Sequence, residues 1–235
     1  MTDTLIILIK CLAAILAGIF AGNGAVYFFN KMPAKWLCDY GEEPSPELLD
    51  PYTQRVKSYP WKFVLTMLFV VLDIKLVMDD WRFAVAAVCA IWLLLEMAIA
   101  DLKYRVVPDQ LVILLAVCGL GFIPFHGSWR DCLFGGLIGF GVMAFVALLG
   151  KMAYRRETLG GGDIKIFAAL GLIAGTAGIL VIFALTALIS AGHLIWLLAR
   201  KKLKRTDTVP MVPYIAIAAA VYLVFLWGFE MVFYL

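Results

Sequence analysis

Charge is what this sequence has least of. Only 16% of its 235 residues are Asp, Glu, Lys or Arg, against about 25% in an ordinary soluble domain. Histidine is scarcer still, with His126 and His193 the only two. No His-Glu-x-x-His pattern exists, which excludes the usual zinc-protease arrangement. Cys11, Cys38, Cys89, Cys118 and Cys132 contain no Cys-x-x-Cys pair. That excludes a zinc ribbon and a dithiol redox motif, and a disulfide framework is not expected. In apolar runs these thiols act as small hydrophobes. No metal site is expected. Ser190 and His193 share a helix face at a spacing of three, but nothing around them resembles an exposed nucleophile turn. A packed or hydrogen-bonded pair is the expectation, and His126 is read as solvated in a short outer loop. Internal repeats and low-complexity segments are absent, and no nucleic-acid partner is expected.

What the chain has in excess is apolar sequence, 64% of it. One soluble core cannot bury that much, whereas about 20 apolar residues cross one hydrocarbon layer. The pattern predicts an all-α, polytopic integral membrane protein of about eight transmembrane helices. The predicted spans are 5–29, 63–78, 83–100, 111–123, 133–149, 164–174, 178–199 and 212–233. The first is too long for a signal-peptide core and lacks a basic flank, so it reads as a retained helix. The Gly-rich sixth reads as a half-helix lining a cavity.

Basic residues sort sharply between the two sides. Sixteen of the twenty fall in or beside the loops 30–62, 101–110, 150–163 and 200–211, and only Arg82 and Arg130 fall in the opposite set. The positive-inside rule makes the first set cytoplasmic and leaves both termini outside. The longest loop, 30–62, has an acidic middle with Asp39, Glu42, Glu43, Glu47 and Asp50. It is too short for an independent core without a staple. It reads as a solvated loop on the membrane surface, or as an element attracting a basic peptide.

Two carboxylates stand in unusual surroundings. Asp101 closes the third span in Glu96-Met-Ala-Ile-Ala-Asp101-Leu-Lys-Tyr-Arg-Val-Val-Pro-Asp109, and Asp163 opens the sixth in Gly160-Gly161-Gly162-Asp163-Ile164-Lys165. Two aspartates at one depth on separate helices suit a water-activating dyad. One takes a proton from water while the other, protonated, polarises a carbonyl. The plainer alternatives are a helix cap for Asp163 and an interface charge for Asp101. Asp109 reads as the N-cap of the fourth span. The three glycines offer backbone conformations closed to other residues and close approach for a substrate strand. Glu96 reads as a groove-lining acid or a paired intramembrane acid, and Asp73 with Lys75 as a structural pair. Helix dipoles favour charge on Asp163, which starts a helix, and the proton on Asp101, which ends one.

At these residues the sequence resembles the type IV prepilin peptidases, bacterial GxGD intramembrane aspartic proteases. The likeness is carried by Asp101-Leu-Lys-Tyr-Arg-Val-Val-Pro-Asp109, by Gly160-Gly-Gly-Asp163-Ile-Lys165 and the run to Leu172, and by Pro210-Met-Val-Pro-Tyr214. It implies catalysis by Asp101 and Asp163; Gly160, Gly161, Gly162, Lys165 and Glu96 are the candidate substrate-binding residues beside them. It implies prepilin or pseudopilin precursors as substrates, in the bacterial inner membrane among its lipids, and no cofactor for proteolysis. The peptidase region is 100–235. Residues 1–99 correspond to a degenerate methyltransferase-like region, because loop 30–62 has Cys38 alone where many members carry two Cys-x-x-Cys pairs. S-adenosylmethionine is implied only if methylation is retained. Rival readings are a small transporter or channel, which would place its acids near the bilayer midplane, and a non-catalytic assembly factor, which would lack one aspartate.

Overall fold

The computed structural model describes residues 2–39, 41–50, 53–155, 159–201 and 209–228. Its helices are α1 (Thr2–Lys31), the single turn α2 (Pro46–Leu49), α3 (Ser58–Asp79), α4 (Trp81–Tyr104), α5 (Asp109–Cys118), α6 (Trp129–Tyr154), α7 (Gly161–Ala199) and α8 (Val212–Val221). A 3-10 stretch, Gly119–Phe125, prolongs α5, and a π turn, Tyr222–Leu226, prolongs α8. No strand occurs among the described residues. The protein is an all-α membrane protein, and α1, α4, α6 and α7 each hold a segment long and apolar enough to cross a bilayer. Helix α3 carries Lys62, Asp73, Lys75 and Asp79, and α5 and α8 are short. Each predicted span falls on helix within the described residues, the last as far as Leu226. The sixth and seventh are two arms of α7, and the last continues past the described residues.

The chain divides into two compact units, Met1–Glu96 and Met97–Leu235. In the first, α1 lies directly on α3. A Cβ on Gly18 would come within 2.6 Å of the Val70 Cα, so glycine permits the backbone approach. The Trp92 indole N–H donates to the Ala21 carbonyl at 3.1 Å and ties α4 to α1. The expected Asp73–Lys75 pair is not formed. Lys75 instead reaches Asp79 one turn on, at 2.6 Å, because residues two apart point to different helix faces. Asp73 is buried with no hydrogen-bond partner among the described residues.

Loop 30–62 is more ordered than a solvated loop. Leu37, Leu48 and Val56 are buried. The Asn30 amide donates to the Val56 carbonyl at 2.9 Å and accepts the Val56 N–H at 2.8 Å. The Arg55 guanidinium donates to the carbonyls of Met32 and Leu48. The staple that so short a loop requires is thus a guanidinium and an amide. Truncating it leaves those carbonyls without a charged donor, a loss of about 1.5–3 kcal/mol. Arg55→Ala is therefore expected to speed limited proteolysis between residues 33 and 54 by about tenfold or more. An unchanged cutting rate would show that the guanidinium does not hold the loop.

In the second unit α6 and α7 touch backbone to backbone. A Cβ on Gly171 would meet the Gly135 carbonyl and lie 2.7 Å from the Gly136 Cα, and one on Gly139 would meet the Phe167 carbonyl. The glycines are the seam. Helix α7 breaks at Gly175, whose φ of 72° and ψ of −173° lie outside any helix and suit glycine alone. The break frees backbone groups, and side chains from α6 and the loop before it take them up. The Asp131 carboxylate accepts from the Thr176 N–H at 3.2 Å and from its hydroxyl at 2.5 Å. His126 bonds the Ile173 carbonyl at 2.8 Å and faces Asp131 at 3.2 Å. The His126 side chain is therefore covered, at 8% exposed, rather than solvated, because a broken helix inside a protein needs partners for its exposed carbonyls.

Candidate functional site

The site lies in the second unit, where the end of α4, the start of α7 and the start of α8 converge. Asp101 is on the last turn of α4, and α4 stops at Tyr104 with Arg105 in the left-handed region at φ 59°. The Asp101 side chain is 7% exposed. Its Oδ2 accepts the Val212 N–H from the first residue of α8, at 3.0 Å. The Met211 N–H also faces this carboxyl, and the Arg105 charge acts on it.

Asp163 occupies the third position of α7, after the helix starts at Gly161 with Gly160 as its N-cap. It is 8% exposed. Its backbone N–H bonds the Gly160 carbonyl at 3.2 Å, and its carboxyl turns back to the Gly160 N–H. This is the return half of a capping box. The capping reading of Asp163 thus has a real contact behind it, and the contact also fixes the carboxyl's direction. The Asp101 charge acts on Asp163, so the two carboxyls from separate helix ends lie within each other's field.

The glycines serve differently from the expectation. Gly160 has φ −71°, and none of the three takes a left-handed φ. Their use is space. A Cβ on Gly162 would sit 2.7 Å from the Val107 side chain, so the segment after α4 is seated on the start of α7. Gly161 has nothing within 4 Å and Gly160 faces the Asp163 carboxyl, which leaves these two on the open side.

Lys165 does not stand free. Its ammonium grips both oxygens of Asp109 at 2.7 and 2.9 Å. Asp109 is the first residue of α5, with Pro108 in the cap position where Asp109 was expected. This pair and the Val107–Gly162 contact both bind the 105–109 segment to the turn that carries Asp163. Both partners are exposed, so the pair contributes less than about 1 kcal/mol. Lys165→Met is expected to lower stability by less than that in a denaturant titration in detergent. A larger loss would mark the pair as more than an exposed tie. Glu96, on α4, is fully buried with neither carboxyl oxygen bonded among the described residues. It is neither a paired acid nor a surface one.

The dipole argument that ranked the two aspartates is offset. Asp101 ends α4, as expected, but it also faces the N–H groups opening α8, which favour charge there. Sequence reasoning did not find this contact. Pro213 marks the second position of α8, a common place for proline at a helix start, but nothing local shows what such a start will face. Ser190 and His193 do not pair. Ser190 bonds back to the Ala187 carbonyl, and His193 meets Tyr214.

Residues 87–195, which hold both aspartates, match the type IV leader peptidase family. The chain is 32% identical over 184 residues to the prepilin leader peptidase/N-methyltransferase of Xanthomonas campestris pv. campestris, covering 74% of this chain and 61% of that protein. It is 30% identical over 172 residues to the protein of the same name from Aeromonas hydrophila, covering 72% and 58%. The Bacillus subtilis protein of that name is 30% identical over 147 residues, covering 60% and 55%. In each case the match spans less than two thirds of the relative's length. No solved structure matches the chain. The segment that carries Asp101 and Asp163 thus matches the type IV leader peptidase family, and the chain around it is similar to prepilin leader peptidase/N-methyltransferases.

Proposed function

We propose that this protein is an intramembrane aspartic endopeptidase that removes the short basic leader from type IV prepilin or pseudopilin precursors. The observation that carries the reading is the pair of nearly buried carboxyls, Asp101 and Asp163, brought from separate helix ends into each other's field. Two such groups share one proton because both cannot ionise freely at close range. The ionised member takes a proton from water, whose oxygen then bonds to the scissile carbonyl carbon. The protonated member gives its proton to the carbonyl oxygen. The tetrahedral diol collapses: one hydroxyl returns its proton to the ionised aspartate as the carbonyl re-forms, the C–N bond breaks, and the amine leaves with the proton held by the other aspartate. The hydrolysis needs no cofactor.

The peptidase is assigned to residues 100–235. Lys103, Arg105 and Lys165 flank the aspartates in sequence, which puts the site on the cytoplasmic face of the inner membrane by the positive-inside rule. Both chain termini then lie outside. A basic leader would remain in the cytoplasm while the apolar helix of the precursor docks from the bilayer. The relatives' names include N-methylation, whose methyl donor would be S-adenosylmethionine. Loop 30–62 holds one cysteine, Cys38, so methylation here would run without a four-cysteine site.

The test is purified full-length protein in liposomes with a precursor that has a basic leader, a glycine before the cut and an apolar helix. Mass spectrometry reads the product. A new N-terminus at the leader junction is the expected result, and a mass increase of one methyl group on adding S-adenosylmethionine reads the second activity. No cleavage of several such precursors would overturn the peptidase reading.

A further inference from the structure

The Val212 N–H reaches Asp101 only if the first turn of α8 is held in place. Besides the buried Val212 and Ile215, one polar contact to that turn comes from the second arm of α7. The phenol oxygen of Tyr214 meets His193 Nδ1 at 2.6 Å. His193 stacks on Trp196 with ring centroids 5.8 Å apart, and Arg200 lies over the same indole at 4.7 Å. The imidazole is thus set against its own helix before it meets the phenol.

On α8 the geometry is stiff. Val212, Pro213 and Tyr214 are the first three residues, and the Tyr214 N–H bonds the Met211 carbonyl at 3.0 Å. Pro213 fixes φ between the residue that meets Asp101 and the residue that meets His193. A shift of the phenol therefore moves the Val212 N–H with it. Val212, Ile215, Ala218 and Ala219 are buried along one side of α8, so the His193–Tyr214 bond adds a polar tie at the end of an apolar contact.

We propose that His193 and Tyr214 are positioning residues for the peptidase reaction. Their hydrogen bond latches α8 to α7, so that the Val212 N–H fixes one oxygen of Asp101 and leaves the other for the chemistry. The inference rests on the catalytic role proposed for Asp101. Orientation of a reacting group is a large component of catalysis, and small displacements cost rate before they cost binding. The latch touches no reacting atom, so its loss lowers kcat and leaves KM alone.

The test measures kcat and KM for leader cleavage in liposomes by full-length wild type and five variants. Thermal midpoints in detergent confirm folding. Tyr214→Phe keeps the ring and removes the hydroxyl, and His193→Leu removes its partner. Each is expected to lower kcat about tenfold, the equivalent of one hydrogen bond, with KM within about twofold. Tyr214→Phe with His193→Leu should be no worse than either alone, since both remove one contact. His193→Gln keeps a group that can bond the phenol and should restore kcat to within about threefold of wild type. Wild-type kcat in Tyr214→Phe or His193→Leu would overturn the latch, as would His193→Gln as impaired as His193→Leu. Asp101→Asn is the reference. If it cleaves at wild-type rate, the role of Asp101 itself is wrong. If it is inactive while the latch variants are unimpaired, only the latch fails.

Discussion

On the proposed function, leader cleavage is expected to fall by at least about a thousandfold when either Asp101 or Asp163 is replaced by asparagine, with the protein still folded in the membrane. Asparagine is the informative replacement. At position 101 its carbonyl oxygen can still accept the Val212 N–H, so the end of α4 and the start of α8 stay joined. At position 163 it can still turn back to the Gly160 N–H. What is lost is the ability to give up or carry a proton. Each member of an acid–base pair contributes about a hundredfold to ten-thousandfold. Groups that work as a unit do not add, so the double variant should be no slower than either single one. Asp109→Asn, which touches only the Lys165 pair, should stay within about threefold of wild type. Single-turnover cleavage in liposomes measures all four. A residual rate above about one tenth of wild type in either single variant would remove that residue from the chemistry.

The largest structural effect is expected at Gly171. Replacing it with leucine should destabilise the protein by about 3 kcal/mol or more and abolish activity with it. The added Cβ would lie against the carbonyl of Gly135 and 2.7 Å from the Cα of Gly136. These are backbone atoms of α6, so no rotamer change can make room. The two helices must separate along their whole seam. Helix α7 carries Asp163 at one end and the Gly175 break further along, so a shift of α7 moves the aspartate as well. Gly141→Ala is the control, since a Cβ there has nothing within 4 Å. It should be neutral or stabilising by up to about 1 kcal/mol through helix propensity. Thermal midpoints in detergent separate the two. An unchanged midpoint for Gly171→Leu would mean that the α6–α7 seam does not bear the stability assigned to it.

The sequence by itself determined the fold class, the run of apolar helices and the two aspartates. These are legible because they depend on local quantities: hydrophobic length against bilayer thickness, charge sorting, and short motifs. The Gly-rich interruption after the sixth span was legible too, since Gly175–Ala177 is too short to be a loop between helices and too permissive to be ordinary helix. The α6–α7 seam could have been found from the spacing of Gly135 and Gly139, which sets small residues one turn apart on one face. Only the tertiary structure decided the rest. Gly162 was read as room for substrate, and it is filled by Val107. Lys165, a candidate on the substrate side, holds Asp109. His126 looked solvated, and it serves the carbonyl of Ile173. The proton ranking from helix dipoles is offset by α8, more than 100 residues along the chain from Asp101. The physical reason is common to all four. A side chain's partner is set by which helix ends meet in three dimensions, and local sequence carries the helix but not the meeting.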